Sequence, residues 1–136
     1  MSEALRCLIV DDSPGFLLAV RRLLEHQGIS VVGVASTTAE ALEQAARLRP
    51  DITLVDIQLG AESGFDVARR LRQATPDAPS PVILISTHAE QDFADLIATS
   101  PALGFLSKPT VSAGSIRELM DGRGSGGPAV SGLRGT

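Results

Sequence analysis

Aromatic residues are scarce in this chain of 136 residues, which has four phenylalanines and neither tryptophan nor tyrosine. A core built from this sequence must therefore be mainly aliphatic. Cysteine occurs once, as Cys7, which excludes an internal disulfide and fits a reducing compartment. Because Cys7 lies within an apolar run, we expect a buried structural thiol at this position.

Long apolar runs are also missing. None approaches the roughly 20 residues that a membrane-spanning helix needs. The first apolar segment is interrupted by Asp11 and Asp12 before it is long enough for a signal peptide. We therefore expect a cytoplasmic protein with no membrane segment. The net charge of −4, with no arginine cluster among aromatic residues, argues against direct binding of nucleic acid.

Lysine is almost absent as well. Lys108 is the one lysine among twelve basic residues, so the other eleven are arginines. An ammonium is a compact point charge on a flexible stem, and a guanidinium does not replace it at a tight site. The bias therefore marks Lys108 as a candidate functional residue.

Strand patterns and helix patterns alternate five times along the chain. The predicted strands cover residues 5–10, 29–35, 51–56, 82–86 and 103–106. The predicted helices cover 14–27, 37–49, 64–74, 90–98 and 115–120, with Ser13 and Thr37 as caps. We expect one domain over residues 1–121. Residues 122–136 are rich in glycine and predict a flexible tail.

This alternation predicts an α/β fold in which a five-stranded parallel sheet carries helices on both faces. Because the crossovers are right-handed, the carboxyl ends of all the strands meet at one edge of the sheet, where open α/β sheets bind ligands. Polar residues from four predicted strands fall at that edge: Asp11, Asp12, Asp56, Ser86 and Lys108.

Each of these residues has a simpler interpretation when it is taken alone. Asp11 or Asp12 could cap a helix, although Ser13 already serves that purpose. Ser86 could bond to its own backbone, and Lys108 could be a solvated loop charge. The combination of all of them at one edge favours a single site.

The same residues occur in motifs that resemble the receiver domain of bacterial two-component response regulators, over about Leu5 to Met120. The Val31–Ser36 stretch is most similar to receivers that precede a helix-turn-helix output domain. The motifs are Leu8-Ile-Val-Asp-Asp12, Leu54-Val-Asp56, Ser63-Gly-Phe65, Pro81-Val-Ile-Leu-Ile-Ser86 and Gly104-Phe-Leu-Ser-Lys-Pro109.

The resemblance implies a flavodoxin-like (βα)5 fold and a role for each matching residue. Asp56 matches the phosphorylation site, which takes a phosphoryl group from a phosphohistidine of a sensor histidine kinase. Ser86 and Lys108 match the catalytic hydroxyl and lysine, and Ser86 with Phe105 matches the switch pair. Asp11 and Asp12, with Asp56 and the Gln58 main-chain carbonyl, match the Mg²⁺ ligands. Gln58 and His88 occupy the variable positions that tune the lifetime of the phosphoryl group.

The chemistry of the residues agrees with these roles. Carboxylates about 5 Å apart repel by about 3 kcal/mol at an effective dielectric of 20, so a cluster of three requires a counter-charge. Hard oxygen ligands suit Mg²⁺. In-line phosphoryl transfer needs an oxygen nucleophile, a cation at the non-bridging oxygens and a nearby donor. Asp56, Mg²⁺ with Lys108, and Ser86 would supply these groups.

Two departures from the family pattern stand near the predicted site. Gly60 replaces the usual proline four residues after Asp56, which predicts a looser loop. Thr87 replaces the commoner alanine or glycine after the switch hydroxyl, which predicts slower access to the pocket.

Other functions on this type of fold fit less well. A haloacid-dehalogenase phosphatase requires Asp-x-Asp after its first strand, which Asp11-Asp12-Ser13 does not provide. A flavodoxin-type phosphate loop would be repelled by Asp11 and Asp12, and no Gly-x-x-x-x-Gly-Lys motif occurs. A receiver-like scaffold or phosphate sink without a conformational output remains the alternative.

The sequence therefore predicts a receiver that phosphorylates and dephosphorylates itself and does not turn over an external substrate. Its expected partners are a sensor kinase and, through the face of the fourth helix, fifth strand and fifth helix, a second copy or a downstream protein. Asp92, Asp95, Arg117 and Glu118 are the candidate contacts on that face.

Overall fold

The computed structural model of the chain describes residues 4–74 and 80–125. Its strands are β1 (Arg6–Val10), β2 (Ser30–Ala35), β3 (Ile52–Asp56), β4 (Gln58–Leu59), β5 (Glu62–Ser63), β6 (Val82–Ser86) and β7 (Gly104–Ser107). Its helices are α1 (Pro14–His26), α2 (Thr38–Leu48), α3 (Gly64–Ala74), α4 (Ala94–Thr99) and α5 (Ala113–Ser125). Short 3₁₀ turns lie at Glu90–Phe93 and Lys108–Thr110.

Five strands form one parallel sheet in the order β2-β1-β3-β6-β7. Alternate residues of each strand face opposite sides of this sheet. Cys7 and Ile9 of β1 join a core cluster with α1 and α5 residues, whereas Leu8 and Val10 join a second cluster with α2 and α3 residues. Helices therefore cover both faces, and the flavodoxin-like (βα)5 prediction is confirmed.

The inner strands are apolar along nearly their whole length because both of their faces are covered, and Thr53 on β3 is a buried polar exception. Every residue of β3 and of β6 is buried. The thiol of Cys7 is also buried, and this burial raises its pKa to about 12. Polar side chains can therefore collect only where the strands end, which is the arrangement that the sequence predicts.

Local capping explains where the first two helices begin. The Ser13 hydroxyl accepts a hydrogen bond from the Phe16 N–H at 3.3 Å, and the Thr37 hydroxyl accepts one from the Glu40 N–H at 3.1 Å. Both caps agree with the sequence prediction. The Glu40 carboxylate completes the second cap by accepting from the Ser36 N–H at 2.8 Å.

Several local predictions differ from the structure. The segment expected to be loop after β3 contains the antiparallel pair β4–β5. The fourth helix begins later than expected, at Ala94, because residues 90–93 form a 3₁₀ turn. The helical spacing of the apolar residues in α1 predicts that Phe16 and Leu23 face the core, but Leu23 is 41% exposed. Apolar periodicity does not distinguish the edge of a buried helix face from its centre.

The fifth helix is longer than the six residues predicted from the sequence. It extends from Ala113 to Ser125, so the first four residues of the predicted tail, 122–125, are helical. The rest of the predicted tail, residues 126–136, lies outside the described residues. Among the residues that are described, no helix is both long enough and apolar enough to cross a membrane.

Gly64 marks the closest approach between α3 and the end of β3. A Cβ at this position would lie 2.0 Å from the Asp56 carbonyl oxygen and 2.8 Å from the Ile57 Cα. The Gly64 N–H also donates to the Ile57 carbonyl at 2.7 Å. Backbone therefore packs directly on backbone here, which only glycine permits.

We predict that Gly64→Ala lowers the free energy of unfolding by about 1–3 kcal/mol, because the added methyl must push α3 away from β3. Urea denaturation measures this change. Gly15→Ala is the matched control, since a Cβ at Gly15 meets nothing within 4 Å, and it should leave stability unchanged or slightly higher. Equal stability of the two variants would contradict the packing argument.

Candidate functional site

Two carboxylates lie at the carboxyl ends of adjacent strands. Asp11 directly follows β1 and is fully buried, while Asp56 is the last residue of β3 and is 7% exposed. Asp12, the next residue after Asp11, is exposed. Each of the three offers an oxygen, and these oxygens all lie within 4.8 Å of one another. The fold therefore brings together the three aspartates that the sequence selected.

Lys108 supplies the positive charge of this cluster. Its Nζ lies 2.7 Å from Asp11 Oδ2 and 3.2 Å from Asp56 Oδ2, and its side chain is only 13% exposed. It follows β7, which is separated from β1 by β3 and β6. A long, flexible side chain suits this reach across the sheet edge.

Burial and neighbouring charges shift the pKa values of both Asp56 and Lys108. Burial raises the pKa of Asp56, and the negative charge of Asp11 raises it further, against the lowering effects of the Gln58 N–H and Lys108. Burial lowers the pKa of Lys108, but the attraction of Asp11 and Asp56 outweighs burial and leaves it raised. Lys108 therefore stays protonated, whereas the charged form of Asp56 is only partly compensated.

The donor set fits a divalent cation. Three carboxylates and one ammonium leave a formal charge of −2, and carboxylate oxygens are suitable ligands for Mg²⁺. Asp11 Oδ1 already accepts from the Ser13 N–H at 2.8 Å. Asp11 Oδ2 is buried and pairs with Lys108 Nζ at 2.7 Å, a contact that occupies at most one of the two lone pairs of this oxygen. A lone pair of this oxygen is thus left for a metal.

Gln58 follows the cluster at the start of β4. Its N–H donates to Asp56 Oδ1 at 3.1 Å, and its side chain is exposed. This bond holds one oxygen of Asp56, while the other oxygen, Oδ2, faces Lys108. The two oxygens of Asp56 therefore have distinct environments.

Ser86, the last residue of β6, is 2% exposed. Its hydroxyl accepts from the His88 N–H at 2.9 Å and lies 3.4 Å from His88 Nδ1. The strand register places Ser86 opposite Ser107, the residue before Lys108. The predicted switch hydroxyl thus stands at the site edge and is bonded to the loop that carries His88.

A series of aromatic ring contacts begins at His88. The His88 ring meets the Phe93 ring edge-on with centroids 5.9 Å apart, and Phe93 lies 6.2 Å from Phe65 at the start of α3. Phe105 on β7 is half-buried and packs, as does Phe93, against the core cluster on this side of the sheet. The predicted switch aromatic therefore lies at the margin of this core cluster and not deep within it.

Phe16 is a site residue that the helical spacing of α1 predicts only as a core residue. Its ring centroid lies 4.5 Å from Lys108 Nζ, a distance at which the ring face attracts an ammonium. Helical spacing placed Phe16 on the apolar stripe of α1, and nothing in the local sequence indicates which cation would reach its ring.

Gly60, where the family pattern has proline, occupies the tip of the β4–β5 hairpin with φ +58°. Proline cannot adopt this angle, because its ring holds φ near −65°. A Cβ at Gly60 would lie 3.5 Å from Asp12 Oδ2. The segment predicted to be a looser loop is thus a paired hairpin whose tip lies beside a site carboxylate.

The family described as response regulator receiver domain matches residues 7–120. A protein-glutamate methylesterase/protein-glutamine glutaminase from Syntrophus aciditrophicus is 39% identical over 119 residues, covering 80% of this chain and 31% of that protein. The chain therefore spans about a third of the length of this curated relative.

Solved structures agree with the family match. The signal receiver domain of NarL from Mycobacterium tuberculosis has a TM-score of 0.76 and 31% identity, covering 88% of this chain and 96% of that one. A two-component response regulator of the LuxR family from Aurantimonas has a TM-score of 0.75 and 27% identity, covering 88% and 84%. The match over most of the chain, on the predicted fold, shows that this chain belongs to the receiver domain family of two-component response regulators.

Proposed function

We propose that this receiver takes a phosphoryl group onto Asp56 from a phosphohistidine of a sensor histidine kinase, in a reaction that depends on Mg²⁺. The observation that carries the proposal is the position of Lys108 Nζ, within 3.2 Å of Asp56 Oδ2 and 2.7 Å of Asp11 Oδ2. Phosphoryl transfer needs little covalent help from the protein beyond such positioning and charge stabilisation.

The proposed step is a displacement at phosphorus. An Asp56 carboxylate oxygen forms a bond to phosphorus, the phosphorus–nitrogen bond breaks, and the imidazole of the kinase leaves with its electron pair and takes a proton. The product is an acyl phosphate. Attack of water on its phosphorus releases inorganic phosphate and regenerates Asp56, so the receiver catalyses its own phosphorylation from the donor and its own dephosphorylation.

Each site residue takes one part in this step. Asp11, Asp12, Asp56 and the Gln58 carbonyl would hold Mg²⁺, which when bound neutralises charge on the transferring group. Lys108 places its ammonium where it can stabilise the negative charge that develops on the phosphoryl oxygens during transfer to Asp56. Its raised pKa keeps it charged. Gln58 and His88 flank the site and would set the access of water and hence the lifetime of the acyl phosphate.

Phosphorylation would also give Ser86 a new partner. At present the Ser86 hydroxyl accepts a hydrogen bond from the His88 N–H at 2.9 Å. We propose that this bond breaks and that the hydroxyl then donates a hydrogen bond to a phosphoryl oxygen. The loop carrying His88 would move with it, and Phe105 would turn inward. The change would reach the surface formed by α4, β7 and α5.

That surface has features of a protein contact. Leu96 on α4 is 53% exposed, and the four charged residues predicted to lie at this face, Asp92, Asp95, Arg117 and Glu118, are all exposed. We propose that a second copy or a downstream protein docks here, with no direct contact to nucleic acid. A phosphate sink whose surface never changes is the second candidate, favoured by the existing bond between Ser86 and His88.

Phosphorylation prediction. With Mg²⁺ and a small phosphodonor, intact mass should show the gain of one phosphoryl group, and Asp56→Asn should abolish it. Lys108→Ala should slow the gain by about 10- to 100-fold, since it removes one charge-assisted contact. Asp51→Asn, at the opposite end of β3 and still able to accept from the Arg6 N–H, is the control. Full labelling of Asp56→Asn would overturn the assignment.

Metal prediction. Mg²⁺ should stabilise the native protein by about 2.7 kcal/mol at one hundred times its dissociation constant, because it binds only the folded carboxylate cluster. The melting temperature measures this effect. Asp12→Ala should weaken the response while leaving the metal-free protein folded, since Asp12 is exposed. A melting temperature that ignores saturating Mg²⁺ in the wild type would count against the site.

Switch prediction. Binding of beryllofluoride, a phosphoryl mimic, should change amide NMR shifts at Ser86 and His88 and also at Phe105 and Arg117. These residues should respond because the mimic binds the switched conformation more tightly than the resting one and therefore shifts the protein toward the switched conformation. Ser86→Ala should confine the changes to the surroundings of Asp56. Wild-type changes that stop at the Asp56 pocket would leave the phosphate sink as the function.

A further inference from the structure

The β4–β5 hairpin beside the site is too small to hold its own shape. It contains two residue pairs, Gln58 with Ser63 and Leu59 with Glu62. Even a longer isolated hairpin is at best marginally stable in water. Contacts outside the hairpin must therefore fix its position.

The first strand of the hairpin is anchored to the core. Leu59 is 3% exposed and packs in the cluster on the α2 and α3 side of the sheet. Gln58 is held by the bond from its N–H to Asp56 Oδ1. The second strand has no such anchor in the core, because Glu62 and Ser63 are both exposed.

Glu62 ties this second strand to α2. Its Oε1 accepts two hydrogen bonds from Thr38, one from the N–H at 2.7 Å and one from the hydroxyl at 2.8 Å. Thr38 is the first residue of α2, where backbone N–H groups have no acceptor within the helix. The two bonds from Thr38 lower the pKa of Glu62.

The tie lies beside the site. Thr38 follows β2 and the hairpin follows β3, and β1, which leads to Asp11 and Asp12, lies between these two strands in the sheet. Because α2 and α3 cover the same face of the sheet, the tie joins the starts of these helices next to the end of β1. The tip of the same hairpin, Gly60, lies 3.5 Å from Asp12 Oδ2 when measured from an added Cβ.

We propose that Glu62 is a positioning residue of the cation site, which it preorganises by tying the β4–β5 hairpin, whose tip lies beside Asp12, to Thr38. The inference rests on the proposed function, since the hairpin begins with Gln58, whose carbonyl is a proposed Mg²⁺ ligand. Without the tie, the hairpin would become ordered only when Mg²⁺ binds, and the entropic cost of this ordering would lower the affinity for Mg²⁺.

The test is the Mg²⁺ dissociation constant by titration calorimetry on the full chain. Because Glu62 is exposed and water weakens its bonds to Thr38, we expect about 3- to 10-fold weaker binding for Glu62→Ala. Thr38→Val, which loses the hydroxyl bond but keeps the N–H, should weaken binding less. Glu43→Ala, an exposed glutamate in an ion pair with Arg47 on α2, is the control and should bind as the wild type does.

Removal of a negative charge near a cation site would by itself weaken Mg²⁺ binding. The Glu62→Gln variant separates this charge effect from the loss of the hydrogen bonds to Thr38. Its amide oxygen still accepts from Thr38, so we expect affinity within about twofold of the wild type. Equal weakening in Glu62→Gln and Glu62→Ala, with Thr38→Val unchanged, would mean that charge alone acts and would overturn the proposal.

Amide hydrogen exchange without metal tests the tie directly. Glu62→Ala should speed exchange of the Thr38 and Gln58 amides, whereas Glu62→Gln should leave both slow. Unchanged exchange in Glu62→Ala overturns the inference. If the wild type binds Mg²⁺ and Glu62→Ala binds it equally well, the inference fails while the proposed function stands; if the wild type binds no Mg²⁺, the proposed function fails.

Discussion

The ion pairs of Lys108 with Asp11 and Asp56 are the interaction on which this end of the molecule depends. A fully buried carboxylate such as Asp11 is costly unless a partner compensates its charge. One ammonium compensates two carboxylates only in part, so the cluster keeps a net negative charge. Burial raises the pKa of Asp56, and the negative charge of Asp11 adds to this effect.

The parallel sheet makes this concentration of charge possible. Its inner strands are buried on both faces, which excludes charged groups from their interiors and leaves them only the strand ends. Because the five strands of this sheet are parallel, the carboxyl ends of β1, β3, β6 and β7 share one edge. The core and the site are therefore consequences of the same sheet topology.

Backbone packing places the loop that borders the site. Gly64 lets the start of α3 touch the Asp56 carbonyl, and Gly60 gives the hairpin a positive φ that proline could not adopt. Glu62 then joins this hairpin to the beginning of α2. The β3–α3 segment is consequently tied to three neighbours: to β3 through Gly64, to the core through Leu59 and to α2 through Glu62.

The sequence by itself determined the strand and helix alternation, and with it the convergence of Asp11, Asp12, Asp56, Ser86 and Lys108, because apolar periodicity and strand direction are properties of the local chain. It could not reveal the cation–ring contact of Phe16 with Lys108, the Glu62–Thr38 bonds or the length of α5. Phe16 and Lys108 are far apart in the chain, as are Thr38 and Glu62, so only the packing of whole elements decides whether such side chains meet. The α5 boundary was missed because the glycines after Met120 lower helix propensity, and only the tertiary structure showed that the helix continues through residues 121–125.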